Sequence, residues 1–472
     1  MLGGGGTDGV LIDPAAMLAQ GYATIGTDSG HDNVVDNDLN AGGTASFGVD
    51  PQARIDFAYN SYDQVARTGK ALLKSYFGKP QNFSYFQGCS EGGREAMLMS
   101  QRFPENFDRI IAGDPTIHLP LGPMAGIHTT QLFAGLATRA GLTLANGQPA
   151  IGKSYSDPDL MLVRNAVLGA CDGLDGLVDG VVDNLPACTK PRVHARLLDV
   201  QCSGAKTASC LSADQIATLE KAFDGAVDSR GQQLYSDWPW DAGVSAAADA
   251  STFSQNWHSW WLGSATSASN NATKLSFVSA IAVAYSSAPV LPFNAATDSL
   301  PFSLAYNFDT DVAKIYSASP VNAVPNYAQS SASLYLTTAA DLSAFRGRGG
   351  KLMVYHGGSD SSVSVNASLR WYNAMNSAMG GNAQGFARMF VVPGMNHCSG
   401  GPATDKFDML PQLVDWVEKG AAPDSVIASA TTPAYFNAAS RGRPLCPYPK
   451  QSRYKGSGDV NDAASFTCQL PG

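Results

Sequence analysis

Three side chains able to do acyl-transfer chemistry each follow a short apolar run: Ser90, Asp360 and His397. Ser90 lies in Gly88-Cys89-Ser90-Glu91-Gly92, a G-x-S-x-G spacing. The aromatic run Phe83–Phe86 precedes it, and a helical pattern from Arg94 to Phe103, stopped by Pro104, follows. Glycines two residues to either side let a strained turn close without side-chain clashes, which pushes the hydroxyl out at the end of a strand. The backbone N–H of Glu91 then sits at a helix N-terminus, where it can stabilise an oxyanion. Asp360 closes Lys351-Leu352-Met353-Val354-Tyr355-His356-Gly357-Gly358-Ser359-Asp360, and His397 stands five residues after the run Ala387–Val392. In that arrangement His397 takes the Ser90 proton, while Asp360 orients the imidazole and stabilises its cation. The chemistry would be acyl transfer through a covalent intermediate on Ser90.

The elements that must hold these residues alternate. Gly21–Asp28 reads as a short buried strand, Ile55–Tyr76 as a helix, and Ile110–Pro115 as the strand after the Ser90 helix. Alternation of this kind predicts an α/β fold with a parallel sheet. The chain order Ser, Asp, His is that of α/β-hydrolases. Gly3–Gly6, followed by Thr7-Asp8-Gly9, forms a glycine-rich loop that could bring a second backbone N–H to the oxyanion. At 472 residues the chain is too long for one simple core. Residues 1–116 and 339–472 read as two parts of one core sheet, and residues 117–338 as an inserted lid domain rich in Ala, Ser, Gly and aromatics. Five of the seven tryptophans fall in that insertion: Trp238, Trp240, Trp257, Trp260 and Trp261. Clustered tryptophans are more often core, and the alternative is an aromatic wall for a substrate.

Bulk composition narrows the partners. With 44% hydrophobic residues, 15% charged and a net charge of -9, the chain is globular and carries no basic run, which argues against nucleic acid. It contains no apolar stretch of about 18 residues, so no transmembrane helix is expected. Eight cysteines, with no C-x-x-C pair, favour disulfides over zinc and hence a secreted or periplasmic setting. Cys171 and Cys188 flank Asp172-Gly173-Leu174-Asp175-Gly176-Leu177-Val178-Asp179-Gly180-Val181-Val182-Asp183. Its four carboxylates repel unless solvated or neutralised, and glycines allow the loop to wrap, so hard oxygen ligands suit Ca²⁺. The closing Glu of an EF-hand is missing, and an acidic surface turn is the alternative. Cys202 and Cys210 are close enough for a second local loop. Cys89 and Cys398 neighbour the serine and the histidine, so a disulfide could tie the two loops. Cys446 and Cys468 remain near the C-terminus.

Together these segments resemble the tannase and feruloyl esterase family of α/β-hydrolases. The resemblance rests on Gly3–Gly9, Thr27–His31, Gly88–Gly93, the Cys171–Asp183 loop, Tyr355–Asp360, Pro393–Cys398 and Trp416–Pro423, and its most specific element is the Cys-Ser with His-Cys pairing. It implies a Ser90/His397/Asp360 triad with oxyanion donors from Glu91 and from Gly5 or Gly6. It also implies four bridges: Cys89–Cys398, Cys171–Cys188, Cys202–Cys210 and Cys446–Cys468. A structural Ca²⁺ in the lid would be held by Asp172, Asp175 and Asp179 with the carbonyls of Leu177 and Val181, and no organic cofactor is implied. The implied activity is a secreted serine esterase acting on small aromatic esters of feruloyl, galloyl or terephthalate-monoester type, as a monomer or weak oligomer. A catalytically impaired homologue and an acyltransferase are the alternatives. By the same resemblance Trp260 belongs to an aromatic wall. Lys274 stands where an arginine would meet a substrate carboxylate, without a bidentate fork. Val278 replaces a nearby aromatic residue, and Ser279 and His356 face the acyl pocket. An oxyanion loop should follow a strand, yet two residues precede Gly3, so the first strands of the sheet and any signal peptide are expected to be missing.

Overall fold

The computed structural model describes residues 1–244, 257–263 and 277–471. Four strands, β1 (Tyr85–Cys89), β2 (Arg109–Gly113), β3 (Lys351–Gly357) and β4 (Ala387–Val392), form one sheet in the order β1-β2-β3-β4. Strands β1 and β2 are parallel, in register from Tyr85 opposite Arg109 to Cys89 opposite Gly113. Phe86, Ile110, Ala112, Leu352, Met353, Met389 and Phe390 have no exposed surface. Strands this uniformly apolar must be covered on both faces, which is the requirement of an α/β sheet rather than of a one-sided antiparallel one.

Local sequence explains the helices beside the sheet. Asp50 accepts from the N–H groups of Gln52 and Ala53, and Pro51 occupies the first turn, where its missing N–H costs nothing. The helix runs on through a π-turn at Asp56–Asn60 into α1 (Ser61–Phe77), and Gly78 ends it at φ 71°. Helix α2 (Glu91–Arg102) leaves β1 at Ser90. Gly93 is the tight spot: a Cβ there would stand 2.2 Å from the Gly113 carbonyl oxygen and 2.9 Å from Pro115 Cα. The absent side chain is what lets α2 lie against the end of β2.

Residues 22–28 form no strand and none of them is buried, against the sequence expectation of a short buried strand. Their backbone is tied only singly, Tyr22 N–H to Met17 at 3.1 Å, Leu2 N–H to the Ile25 carbonyl at 3.4 Å and Gly9 N–H to Asp28 at 3.0 Å. The apolar run is explained by packing instead, because Ile25 fills the space above Gly69 of α1. Residues 1–3 line the outer side of β1. The Met1 ammonium donates to the Tyr85 carbonyl, Gln87 N–H to Met1, and Gly3 N–H to Gln87.

The chain divides into two compact units. The first comprises Met1–Met124, Leu275–Val354 and Ser368–Arg388, and the second Ala125–Lys274, Tyr355–Ala367 and Met389–Gly472. Thus the carboxyl ends of β3 and β4, with the loops that follow, belong to the same unit as the segment from residue 125. That unit also holds two antiparallel ribbons, β5 (Val426–Ser429) with β6 (Gly442–Leu445) and β7 (Gln451–Tyr454) with β8 (Phe466–Gln469). It contains the disulfides Cys171–Cys188, Cys202–Cys210 and Cys446–Cys468. Among the described residues no cysteine is free. Among the described residues no helix is long and apolar enough to cross a membrane.

The contact at Gly93 gives a direct expectation. Gly93→Ala should lower stability by about 1–3 kcal/mol, the usual cost of forcing an extra methyl into a packed interior. A urea midpoint equal to wild type would mean that α2 is not pressed against β2.

Candidate active site

In the first unit, Ser90 sits at φ 66°, ψ −121°, outside the regions an L-residue prefers. Its N–H donates to the Gly113 carbonyl at 3.0 Å, and its own carbonyl accepts from Arg94 N–H at 3.1 Å, the first turn of α2. The two flanking glycines are required by contact rather than by flexibility alone. A Cβ on Gly88 would lie 2.6 Å from the Gly92 carbonyl, and one on Gly92 would lie 2.8 Å from the Gly3 carbonyl carbon and the Gly4 oxygen. The glycine-rich loop is therefore laid directly on the serine turn, with Gly92 N–H donating to the Gly4 carbonyl at 3.1 Å. Gly4 N–H is spent on Glu95 Oε1 at 3.3 Å. Gly5 has open space at its Cβ position, and Gly6 turns the chain at φ 67°.

A buried charged layer lies beneath this turn. Arg94 Nε meets Glu91 Oε1 at 2.6 Å, and its terminal nitrogens donate to the carbonyls of Ala58 and Phe57 at 3.0 and 3.1 Å. Thr116 also donates to Glu91 Oε2, at 3.2 Å. Burial still pushes the Glu91 carboxyl up to about 7, although Arg94 opposes it. Burial raises Glu95 well above the carboxylate range, and Asp8, hydrogen-bonded to it, raises it further. Asp8 Oδ1 is buried with no other donor, so a proton on Glu95 satisfies both groups. Asp8 Oδ2 accepts from Ser29, and the Tyr62 hydroxyl lies 3.2 Å from it and 2.9 Å from Ser29 Oγ. Nearby, His31 stacks on Phe47 with centroids 4.2 Å apart. The sequence motif Thr27–His31 hence marks the underside of the glycine loop.

In the second unit, Asp360 and His397 are brought together. Asp360 Oδ2 lies 2.6 Å from His397 Nδ1, and Asp360 Oδ1 accepts from the N–H groups of Ser362 and Val363 at 2.8 and 2.9 Å. Burial opposes the charge on Asp360, but His397 and His356 hold its carboxyl below the usual range. His356 is fully buried, with Nε2 3.0 Å from the Val363 carbonyl and 3.3 Å from Asp360 Oδ2. Backbone bonds lace the two loops together: Gly358 N–H donates to Val392 at 2.8 Å and Ser359 N–H to Met395 at 2.9 Å. Buried Asp241 joins them again by accepting from Gly394 N–H at 2.7 Å.

The clustered tryptophans are mainly core. Trp240 and Trp257 stack on Phe223 at 3.8 and 4.5 Å, and Trp261 lies 3.9 Å from Trp257. Trp260 is the exception, with its ring centroid 6.4 Å from that of His397. Val278 and Ser279 are buried in the first unit. Lys274 lies outside the described residues.

The acidic loop is a separate cluster in the second unit. Asp172 accepts from the N–H groups of Asp179 and Gly180, both at 2.9 Å, and Asp175 from that of Leu177 at 2.9 Å. Gly176 and Gly180 turn at φ 96° and 85°. Arg441 and Arg443 both meet Asp179 Oδ2, while Asp179 Oδ1 is buried without a partner. Burial pushes Asp175 up to about 6, and Asp183 is pushed well up by burial and by Asp175 and Asp179. Asp183 was absent from the expected ligand set, although its place as the fourth acid of the repeat was visible in the sequence.

The whole chain has relatives. The model of the "Tannase and feruloyl esterase" family matches residues 1–469. The chain belongs to the tannase and feruloyl esterase family. As a member it is an ester hydrolase with an α/β fold. It is 47% identical to mono(2-hydroxyethyl) terephthalate hydrolase of Piscinibacter sakaiensis, over 100% of this chain and 79% of that protein. It is 30% identical to a probable feruloyl esterase of Arthroderma benhamiae, over 99% of this chain and 78% of that protein. The crystal structure of feruloyl esterase B from Aspergillus oryzae shares its fold, with a TM-score of 0.74 and 24% identity over 99% of this chain and 84% of that one.

The buried carboxyls make stability depend on pH with a definite sign. Glu95 and Glu91 keep protons in the folded state that an unfolded chain releases above about pH 4.5, so the folded state binds more protons and stability falls as pH rises from there. Glu95→Gln keeps the shape and the donor without the acid. Its urea midpoint should fall less between pH 5 and pH 8 than that of wild type, and an equally steep fall would refute the assignment.

Proposed function

We propose that this protein is a secreted serine esterase that hydrolyses aromatic carboxylic esters through a Ser90/His397/Asp360 triad. The observation that carries the reading is the 2.6 Å contact between Asp360 Oδ2 and His397 Nδ1. With Nδ1 bound to the acid, the imidazole acts through Nε2, the geometry of a general base held in one tautomer. The positive φ of Ser90 at the head of α2 supports its role as nucleophile, because a side chain on a strained strand-to-helix turn is presented outward. His397 would accept the Ser90 proton as the hydroxyl attacks the ester carbonyl. The N–H of Glu91, with that of Gly5 or Gly6, would bind the oxyanion, and the protonated imidazole would then release the alcohol. Water would complete the cycle by the same route.

A Cys89–Cys398 disulfide joining the residues beside nucleophile and base completes the proposal; both cysteines are disulfide-bonded. The eight bonded cysteines also support an oxidising compartment. The aromatic acyl preference is supported by Trp260 beside His397 and by the terephthalate and feruloyl esters in the names of the relatives.

Turnover of methyl ferulate, a gallate ester and mono(2-hydroxyethyl) terephthalate tests the reading, with Ser90→Ala as control. Loss of about 10⁵-fold or more in kcat is expected for the variant. A well-folded protein that cleaves none of the three, and is not labelled by a fluorophosphonate, would show instead a disabled homologue.

We also propose that the acidic loop holds a structural Ca²⁺. The unpartnered buried Asp179 Oδ1 and the crowding of Asp172, Asp175 and Asp183 fit a hard cation. The carbonyls of Leu177 and Val181 would complete the ligand set. Chelation should lower the thermal midpoint, and activity should fade only as the protein unfolds. Immediate loss of activity with no change in midpoint would overturn a structural role.

A further inference from the structure

Three consecutive carbonyls of the acid loop are each capped by an indole. Trp257 Nε1 donates to Ser359 O at 3.0 Å, Trp238 Nε1 to Asp360 O at 3.1 Å, and Trp261 Nε1 to Ser361 O at 2.7 Å. All six residues belong to the second unit, and the three tryptophans are buried. Their rings are held by one another and by Phe223. Trp238 meets Trp261 edge-on at 5.2 Å, and Trp257 lies between Phe223 and Trp261. A fourth contact comes from the same segment, where Gly243 N–H donates to Ser359 Oγ at 2.9 Å.

We propose that Trp238, Trp257 and Trp261 are positioning residues for the catalytic acid, fixing the backbone from which the Asp360 carboxylate reaches His397. The inference rests on the triad reading above. Its physical basis is the choice of donor. Residues 359–361 lie past the end of β3 and are buried, so their carbonyls need partners inside the protein. Lysine or arginine would supply donors, but also a positive charge beside Asp360 that competes with the imidazole. Indole N–H groups are uncharged, donate only, and sit on rings with few rotatable bonds. They hold the loop without altering the charge balance of the acid. Within the second unit the titratable groups that face Asp360 are His397 and His356, and Asp241 lies behind Gly394. A loop released on one side would turn the carboxylate relative to the imidazole. That weakens the Asp360–His397 bond and lowers the pH at which the base titrates.

The test replaces each tryptophan by β-(3-benzothienyl)alanine, which keeps the bicyclic shape and loses only the N–H, and by phenylalanine. With the best ester of the panel, kcat for the Trp261 variant should fall about tenfold with KM changed by less than about threefold, the loss expected for one buried hydrogen bond acting in the transition state. The acid limb of the pH profile for kcat/KM should move to lower pH. The double variant at Trp257 and Trp261 should lose more than either single one. A Phe variant that does not fold leaves the benzothienyl variant as the measurement. Unchanged kcat and pH limb in variants that merely melt lower would overturn the positioning role. Ser90→Ala assayed alongside separates the two readings: activity surviving that change would overturn the triad itself, whereas a dead Ser90→Ala with unimpaired tryptophan variants would overturn this inference alone.

Discussion

The structure around β1 depends on holding Ser90 at a positive φ. A non-glycine residue in such a region costs on the order of 1–3 kcal/mol and persists only where its surroundings over-determine it. Here much of the surroundings is glycine backbone. Gly92 lies in contact with both Gly88 and Gly3, and Gly93 presses on the end of β2. Each missing side chain removes one way for the turn to relax. The backbone hydrogen bonds of Ser90 to Gly113 and of Gly92 to Gly4 then close the arrangement. A serine in this setting is presented by geometry, not by its own preference.

Electrostatics beneath the turn follow from the same close approach. Because the glycine loop lies flat on α2, the first turn of that helix is sealed from water, and Glu91, Arg94 and Glu95 are buried with it. Arg94 spends its donors on Glu91 and on two carbonyls, which leaves Glu95 beside Asp8 with its carboxyl raised well above the usual range. Buried carboxyls of this kind are costly unless neutralised. A protonated Glu95 accepts from the Gly4 N–H of the glycine loop without adding a negative charge beneath the turn. On the second unit the balance runs the other way, since Asp360 is kept ionised by two imidazoles and two N–H groups.

The segment from residue 125 to residue 274 is more than a cover. Three of its tryptophans, Trp238, Trp257 and Trp261, lie in one aromatic cluster and donate to the acid loop, and its Asp241 binds the turn that leads to His397. An acidic loop in the same unit is drawn to Arg441 and Arg443 of the C-terminal ribbon. The segment from residue 125 to residue 274, the loop after β3 and the chain from Met389 are therefore parts of one compact unit.

How much of this was legible beforehand depended on the range of each interaction. The serine turn, the acid and base at strand ends and the acidic repeat are local patterns, so the sequence by itself determined the α/β class, the position of the turn at Ser90 and the residues at the ends of β3 and β4. A short apolar run is ambiguous, and residues 22–28 form no strand because, among the described residues, none pairs with them, while Ile25 packs over Gly69. The clustered tryptophans were legible as aromatic, yet nothing local reveals that three of their N–H groups meet three successive carbonyls about a hundred residues away. The pairing of Glu95 with Asp8 was equally invisible, since two acids 87 positions apart carry no pattern. Chain-local rules of turn, strand and period determine which residues can do chemistry. Only tertiary structure decides burial and which distant groups meet, and with them the charge each group carries.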